Sequence, residues 1–211
     1  MEIVWHGHSC FRLSERNFAT VVTDPYQTSV GLPELKLKAD IVTISHDMPG
    51  HNNADTVKSR RKVLTGPGEY EIGSVFITGV SMDPKQKNGN HKHNTLFVFD
   101  FMGLTVAHMG ALAYVPSQAQ IERLGTVDIV LIPVGGANDM SPSQAAEVVS
   151  LIEPSIVVPM HYRTRKGEDL EPVDRFLKEM GVGKLDPVSS LKITRSVLSD
   201  DTQVVVLTPG G

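Results

Sequence analysis

Short apolar runs rich in β-branched residues recur along this chain, and several of them close on a histidine or an aspartate. Residues 20–24 end in Asp24, residues 40–45 deliver His46, residues 104–108 end in His108, and residues 156–160 are followed by His161. Runs of this length bounded by Gly, Pro or Asp read as buried strands rather than helices. Strands of this kind stack into sheets, and the edge at their C-terminal ends is where open sheets place functional groups. Histidines far apart in sequence can meet there.

The remaining pattern is consistent with that reading. Residues 2–6 and 10–13 form a hairpin-like start turned at Gly7, His8 and Ser9. Residues 62–66 and 74–80 add strands on either side of the glycine-rich GPGEYEIG, and 94–101 pairs with 104–108 around Met102 and Gly103. Later strands at 127–133, 156–160 and 203–208 alternate with helices. The clearest helix has Ser141 as N-cap, Pro142 in the first turn and Gln144 three after the cap, with Ala145, Val148, Val149 and Ile152 on one face before Pro154. A second spans 172–180 and stops at Gly181, with shorter ones near 116–124 and near Pro33. Residues 83–93, which carry His91 and His93, are polar and aperiodic and read as a mobile loop. Strands first, then strands alternating with helices, indicates an α/β (α+β) fold of packed sheets with helices outside. No linker divides residues 1–211, so one domain is expected.

Composition narrows the partners. A net charge of −4 supplies no basic stripe, which argues against nucleic acid and anionic membrane surfaces. No 18-residue apolar span and no secretory leader pattern are present, so a cytoplasmic protein is expected. The single Cys10 rules out an internal disulfide and fits a reducing compartment. A small-molecule ligand or substrate, or association with a second copy, is what this balance leaves.

The chemistry concentrates in ISHDMPGH, residues 44–51, where His46 and His51 lie five positions apart. Neutral imidazole suits zinc, and a catalytic zinc keeps one position open for water. The plainer reading of each strand-end histidine is a hydrogen-bonding plug in a half-buried turn. A Cys10 nucleophile with His8 would share one face of a strand without guaranteed contact, no order of Ser, His and Asp singles out a triad, and GPGEYEIG lacks the Lys-Ser/Thr ending of a phosphate loop.

The order of these motifs resembles the metallo-β-lactamase fold superfamily, most closely its small branch of predicted metal-dependent hydrolases that includes L-ascorbate-6-phosphate lactonase-like proteins. WHGHSCF and TDPY resemble the branch's opening, ISHDMPGH falls where the family carries H-x-H-x-D-H, and NTLFVFDFMGLTVAHMGAL resembles the segment ending in His-x-Gly-Asp. LIPVGG followed by QAAEVVSLIEPSIVVPMHY resembles the last third, with its final ligand histidine at His161. The resemblance implies a four-layer αββα sandwich with its site along one sheet edge. It implies one zinc or other divalent transition metal on His46, His51 and His161, with Asp24 hydrogen-bonded behind a ligand histidine. His8, Met48, Met82, His108 and Ala111 would line the pocket.

Four positions depart from the family pattern. Met48 replaces a ligand histidine, Gly50 an aspartate and Ala111 the bridging aspartate, while Ser81 and Met82 stand where another histidine is usual. His8, His91, His93, Asp47 and Asp139 are the residues that could stand in. Two functions are implied. One is a hydrolase of small lactone or phosphorylated substrates working with a reduced metal set. The other, toward which the substitutions tilt the cofactor expectation, is an inactive, metal-free member serving as a ligand-binding or assembly module.

Overall fold

The computed structural model describes residues 1–82, 93–137, 139–165 and 168–210. In chain order the strands and helices are β1 (Glu2–Gly7), β2 (Cys10–Ser14), β3 (Val21–Thr23), β4 (Leu37–Lys38), β5 (Ile41–Thr43), β6 (Val57–Lys58), β7 (Lys62–Leu64), β8 (Gly68–Ile72), β9 (Val75–Ser81), β10 (Thr95–Asp100), β11 (Thr105–His108), α1 (Gln118–Glu122), β12 (Ile129–Pro133), α2 (Pro142–Ile152), β13 (Ile156–Met160), α3 (Val173–Glu179), β14 (Leu191–Lys192) and β15 (Gln203–Val204). Two sheets carry the fold, one of order β14-β1-β2-β3-β5-β7 and one of order β15-β13-β12-β11-β10-β9-β8. The pair β4-β6 forms a small third sheet.

Side-chain alternation explains why the first sheet has two buried faces. Phe11, Leu13, Val21 and Ile41 point into the large core shared with the second sheet. Their neighbours Cys10, Val22 and Val42 point the other way, into a smaller core closed by Tyr26, Leu35, Ala39 and Val57. That outer layer is built from the segment containing β4, β6 and two single-turn 3-10 helices at Thr28–Val30 and Ala54–Thr56. No α-helix is used there among the described residues. On the other side α2 contacts α1, α3 and β12, with Ala145, Val148 and Val149 buried. Val148 and Val149, removed from water, each contribute about 1.5–3 kcal/mol before chain entropy is subtracted, and Ala145 less.

The cap of α2 forms as its letters indicate. The Ser141 hydroxyl accepts from the Gln144 N–H at 3.3 Å, while Gln144 Oε1 accepts from the Ser141 N–H at 3.0 Å. The helix closes on Glu153 in the left-handed region, φ 52°, one residue before Pro154.

Three local readings change. GPGEYEIG contains a strand, β8, paired antiparallel with β9 from Gly68↔Gly79 to Ile72↔Val75. Its turn residues Gly73 and Ser74 both have positive φ, as a tight two-residue hairpin turn requires. Glycine at both ends hid a period-two pattern in which Glu69 and Glu71 face solvent while Tyr70 and Ile72 are half-buried. The short helix expected near Pro33 is instead the 3-10 turn at Thr28–Val30, and the last strand is cut to Gln203–Val204. Of the aperiodic 83–93 segment only His93 lies among the described residues, and it is exposed. No helix among the described residues is long and apolar enough to cross a membrane.

Candidate functional site

The parallel strands set the site. β3, β5 and β7 run parallel in one sheet, and β11, β12, β13 and β15 in the other. Asp24 follows β3, Ser45 and His46 follow β5, and His161 follows β13, so these groups leave their strands at C-terminal ends. His8 comes to the same place from the β1–β2 turn.

Asp24 anchors one side. It is fully buried with φ 39°, and its carboxylate accepts from the Ser45 N–H at 2.7 Å, the Ser45 hydroxyl at 2.5 Å and His51 Nδ1 at 2.7 Å. Burial alone works to raise the Asp24 pKa. The fields of His108 and His51 and the hydrogen bonds from His51 and Ser45 outweigh it and hold the carboxyl below its usual value. A charged acceptor on Nδ1 selects the His51 tautomer whose Nε2 bears a lone pair.

His161 repeats this arrangement from the other sheet. Its Nδ1 bonds to the Asp139 carboxylate, and its backbone has φ 49°. The space it needs is kept by Gly135, where a Cβ would lie 2.1 Å from the His161 carbonyl oxygen.

Four imidazoles converge between these anchors. Ring centres lie 4.0 Å apart for His46 and His51, 4.7 Å for His8 and His51, 4.1 Å for His8 and His161, and 6.4 Å for His51 and His161. His8 carries φ 52°, and its Nδ1 is buried with no hydrogen-bond partner among the described residues. Its pKa is pushed far down, first by burial and then by the fields of His161, His51 and His46, so it is a neutral imidazole. Positive φ at three non-glycine site residues is strain of the sort that collects at functional centres.

The resemblance to the metallo-β-lactamase fold implies a metal ion at this cluster. Two imidazoles on one zinc, with Zn–N about 2.1 Å, place their ring centres about 5 Å apart, and the four distances bracket that value. A carboxylate on Nδ1 is also how metal-binding histidines are usually oriented. Among the described residues, however, no three His, Cys, Asp or Glu side chains are already disposed to hold an ion, so the rings must turn to do so. Asp24 and Asp139 are engaged behind histidines and Ala111 has no side-chain oxygen. By donor type the cluster suits one ion on imidazole nitrogens once the rings turn, and it leaves no carboxylate for a second.

A cavity of about 420 Å³ opens over the cluster, with His8, His46, His51 and His161 on its floor and Met48, Met82, Leu112 and Ala111 among its walls. Met82 is fully buried, whereas Met48 is 43% exposed at the rim. His108, expected on the wall, lies behind it instead. It is fully buried, its Nε2 is 2.9 Å from the Ser9 carbonyl, and burial lowers its pKa, which makes it the hydrogen-bonding plug of the plainer reading. Asp47 is exposed and accepts from Asn52 Nδ2 at 2.6 Å, away from the rings. His91 lies outside the described residues.

Sequence reasoning did not find Ser45 or Asn94. Asn94 lines the cavity, donates to the Met109 carbonyl at 3.1 Å and accepts from the Ala111 N–H at 3.0 Å, which holds the loop after β11. Asp139 was found only as a spare carboxylate; its position shortly before a helix cap carries no signal of a histidine partner.

Comparison with known proteins agrees with this architecture. Residues 2–161 match the family model described as "Beta-lactamase superfamily domain". A UPF0173 metal-dependent hydrolase of Thermoplasma acidophilum is 30% identical over 192 residues, covering 78% of this chain and 84% of the relative. A UPF0173 protein of Pyrococcus abyssi is 29% identical over 86% of this chain and 93% of its own length. A solved Thermotoga maritima structure, named only provisionally as a Zn-dependent hydrolase of the metallo-β-lactamase superfamily, superposes with a TM-score of 0.80 at 35% identity, covering 98% of this chain and 97% of that one. With its sandwich, its strand-end histidines and these relatives together, this chain belongs to the β-lactamase superfamily and, within it, to the UPF0173 metal-dependent hydrolase family.

Proposed function

We propose that the histidine cluster holds one divalent transition metal, zinc in the first instance, on His46, His51 and His161, and that the protein hydrolyses a small lactone or ester. The observation that carries this reading is the pair of carboxylate-backed imidazoles, Asp24 on His51 and Asp139 on His161, reaching one cavity from two sheets. A bound ion would supply Lewis-acid polarisation of a carbonyl and lower the pKa of water toward 7. The protein's own part is to set tautomers. Asp24, fixed by two bonds from Ser45, keeps the proton on His51 Nδ1. Met48, Met82 and Leu112 give the cavity an apolar wall, which favours the acyl part of a lactone over the phosphoryl group of a phosphorylated substrate. The buried free thiol of Cys10 supports a cytoplasmic setting.

The test is metal content and turnover. Untagged protein purified without chelator should carry about one equivalent of a divalent transition metal, zinc in the first instance. It should open simple lactones faster than it cleaves phosphomonoesters, and chelation should abolish that activity. Absence of metal, with no binding on addition, removes the reading.

A second reading, a metal-free ligand-binding module, draws on the lack of a ready-made ligand triad among the described residues and on the apolar Met48, Met82 and Ala111. It expects small acyl ligands to raise the melting temperature equally with and without EDTA.

A further inference from the structure

We infer that His8 is a metal-binding residue of this chain, an imidazole occupying the space that a carboxylate at position 50 would need. The inference rests on the metal reading above and adds a donor to it.

Geometry makes the two positions interdependent. A Cβ at residue 50 would lie 2.7 Å from Cε1 and 2.8 Å from Nε2 of His8, closer than real Cβ contacts come. No side chain at 50 can coexist with the His8 ring where it stands. Gly50 and the inward His8 are therefore one arrangement, with the ring's Nε2 standing against the place where a side chain at 50 would begin.

The ring is also placed to share an ion. It lies against both carboxylate-backed histidines, with centres 4.7 Å from His51 and 4.1 Å from His161. Its backbone is held firmly, because the His8 carbonyl accepts from Trp5 Nε1 at 3.0 Å and from the His161 N–H at 3.2 Å. Among the described residues nothing bonds its buried Nδ1. Of the five described residues with such a buried, unpartnered side-chain atom, His6, His8, Ser9, Thr43 and His108, His8 is the one that lines the cavity, where a ligand would satisfy it. With His46, His51 and His161 the donors are all nitrogen, a set suited to zinc, cobalt, nickel or copper ahead of manganese or magnesium.

The experiment measures zinc affinity by competition and the visible spectrum of the cobalt-loaded protein for four chains: unaltered, His8→Ala, Gly50→Asp, and both together. His8→Ala should weaken zinc by more than the roughly 10–100-fold that loss of a supporting hydrogen bond costs, and should change the cobalt band. Gly50→Asp should weaken zinc when His8 is present, because the two side chains compete for one volume. The same substitution should strengthen zinc when His8 is absent. A purely structural role for His8 would move melting temperature without this reversal of sign. Should His8→Ala fail to fold, His8→Gly, which suits the positive φ there and also vacates the volume, takes its place with the same expectations. If the unaltered chain binds zinc and loss of the His8 ring leaves affinity and spectrum unchanged, the inference is overturned while the metal reading stands. If the unaltered chain binds no ion, both fall.

Discussion

The main-chain N–H of His161 donates to the carbonyl of His8 at 3.2 Å, joining the first hairpin of one sheet to the end of β13 in the other. Further bonds tie the two sheets beside it: Thr95 N–H to the Ser45 carbonyl at 2.8 Å, and His108 Nε2 with the Ser9 carbonyl at 2.9 Å. The edge that carries the histidines is thus also where the sheets are stitched together. Site geometry and fold stability should respond together when that edge is disturbed.

Trp5 offers a direct probe. It is fully buried beside Phe11 and Tyr162, and its Nε1 donates to the His8 carbonyl at 3.0 Å. Trp5→Phe keeps an aromatic ring in the core but removes that donor. The expected loss is about 1 kcal/mol for the bond plus a cavity contribution, read by urea denaturation, accompanied by weaker zinc binding.

Asp24→Asn preserves volume and one acceptor oxygen while removing the charge that selects the His51 tautomer. Zinc affinity should fall about 10–100-fold, and stability by about 1–3 kcal/mol as a buried network is left partly unmatched. Competition titration and thermal melting measure the two effects, and unchanged zinc affinity would argue against His51 as a ligand.

Gly135 and Gly66 form a matched pair. A Cβ at 135 meets the His161 carbonyl at 2.1 Å, backbone that cannot swing away, whereas a Cβ at 66 meets nothing within 4 Å. Gly135→Ala should destabilise by about 1–3 kcal/mol or more and displace His161. Gly66→Ala should be close to neutral, or stabilising by a few tenths of a kcal/mol where its backbone suits alanine. Equal melting temperatures for the two variants would contradict the crowding at His161.

Acid should weaken the fold through its buried neutral histidines. His6 is lowered to about 4, first by burial and then by the nearby Arg12, and His108 is lowered chiefly by burial. Below about pH 6.5 the unfolded chain takes up protons that the folded chain refuses, so stability falls as pH drops from there toward 4. For His6 the slope is at most about 1.4 kcal/mol per pH unit, reduced by partial solvent access. Asp24 acts in a separate window. Its lowered pKa stabilises the fold above the unfolded carboxylate value near 3.9, and that contribution disappears as pH falls through the lower folded value. Urea midpoints between pH 8 and 4 should decline, and His6→Phe should flatten the decline; an unchanged slope would show that His6 titrates normally.

Most of the framework is legible in the letters because burial is a local property of a strand. The runs before Asp24, His46, His108 and His161 each lie in the core, and their polar last residues mark strand ends. The Ser141 cap is legible for the same reason, since its partner Gln144 is three residues away. Strand β8 is not, because its ends are glycines and its pairing with β9 comes from the turn at Gly73 and Ser74.

The site divides along the same line. The sequence alone determines that histidines stand at strand ends, that Met48, Gly50 and Ala111 offer no hard oxygen or nitrogen ligand, and that Asp24 follows a buried strand. It does not determine which histidines meet. His108 ends a strand as His46 follows one, yet it is turned to Ser9 behind the cavity, while His8, in a mere hairpin turn, faces the centre. Pairing of Asp139 with His161 and the competition between Gly50 and His8 for one volume arise only when two sheets are packed face to face. Strand burial follows from neighbours along the chain; the histidine cluster follows from side chains up to 153 positions apart, His8 and His161, and their separation is set by how the two sheets dock.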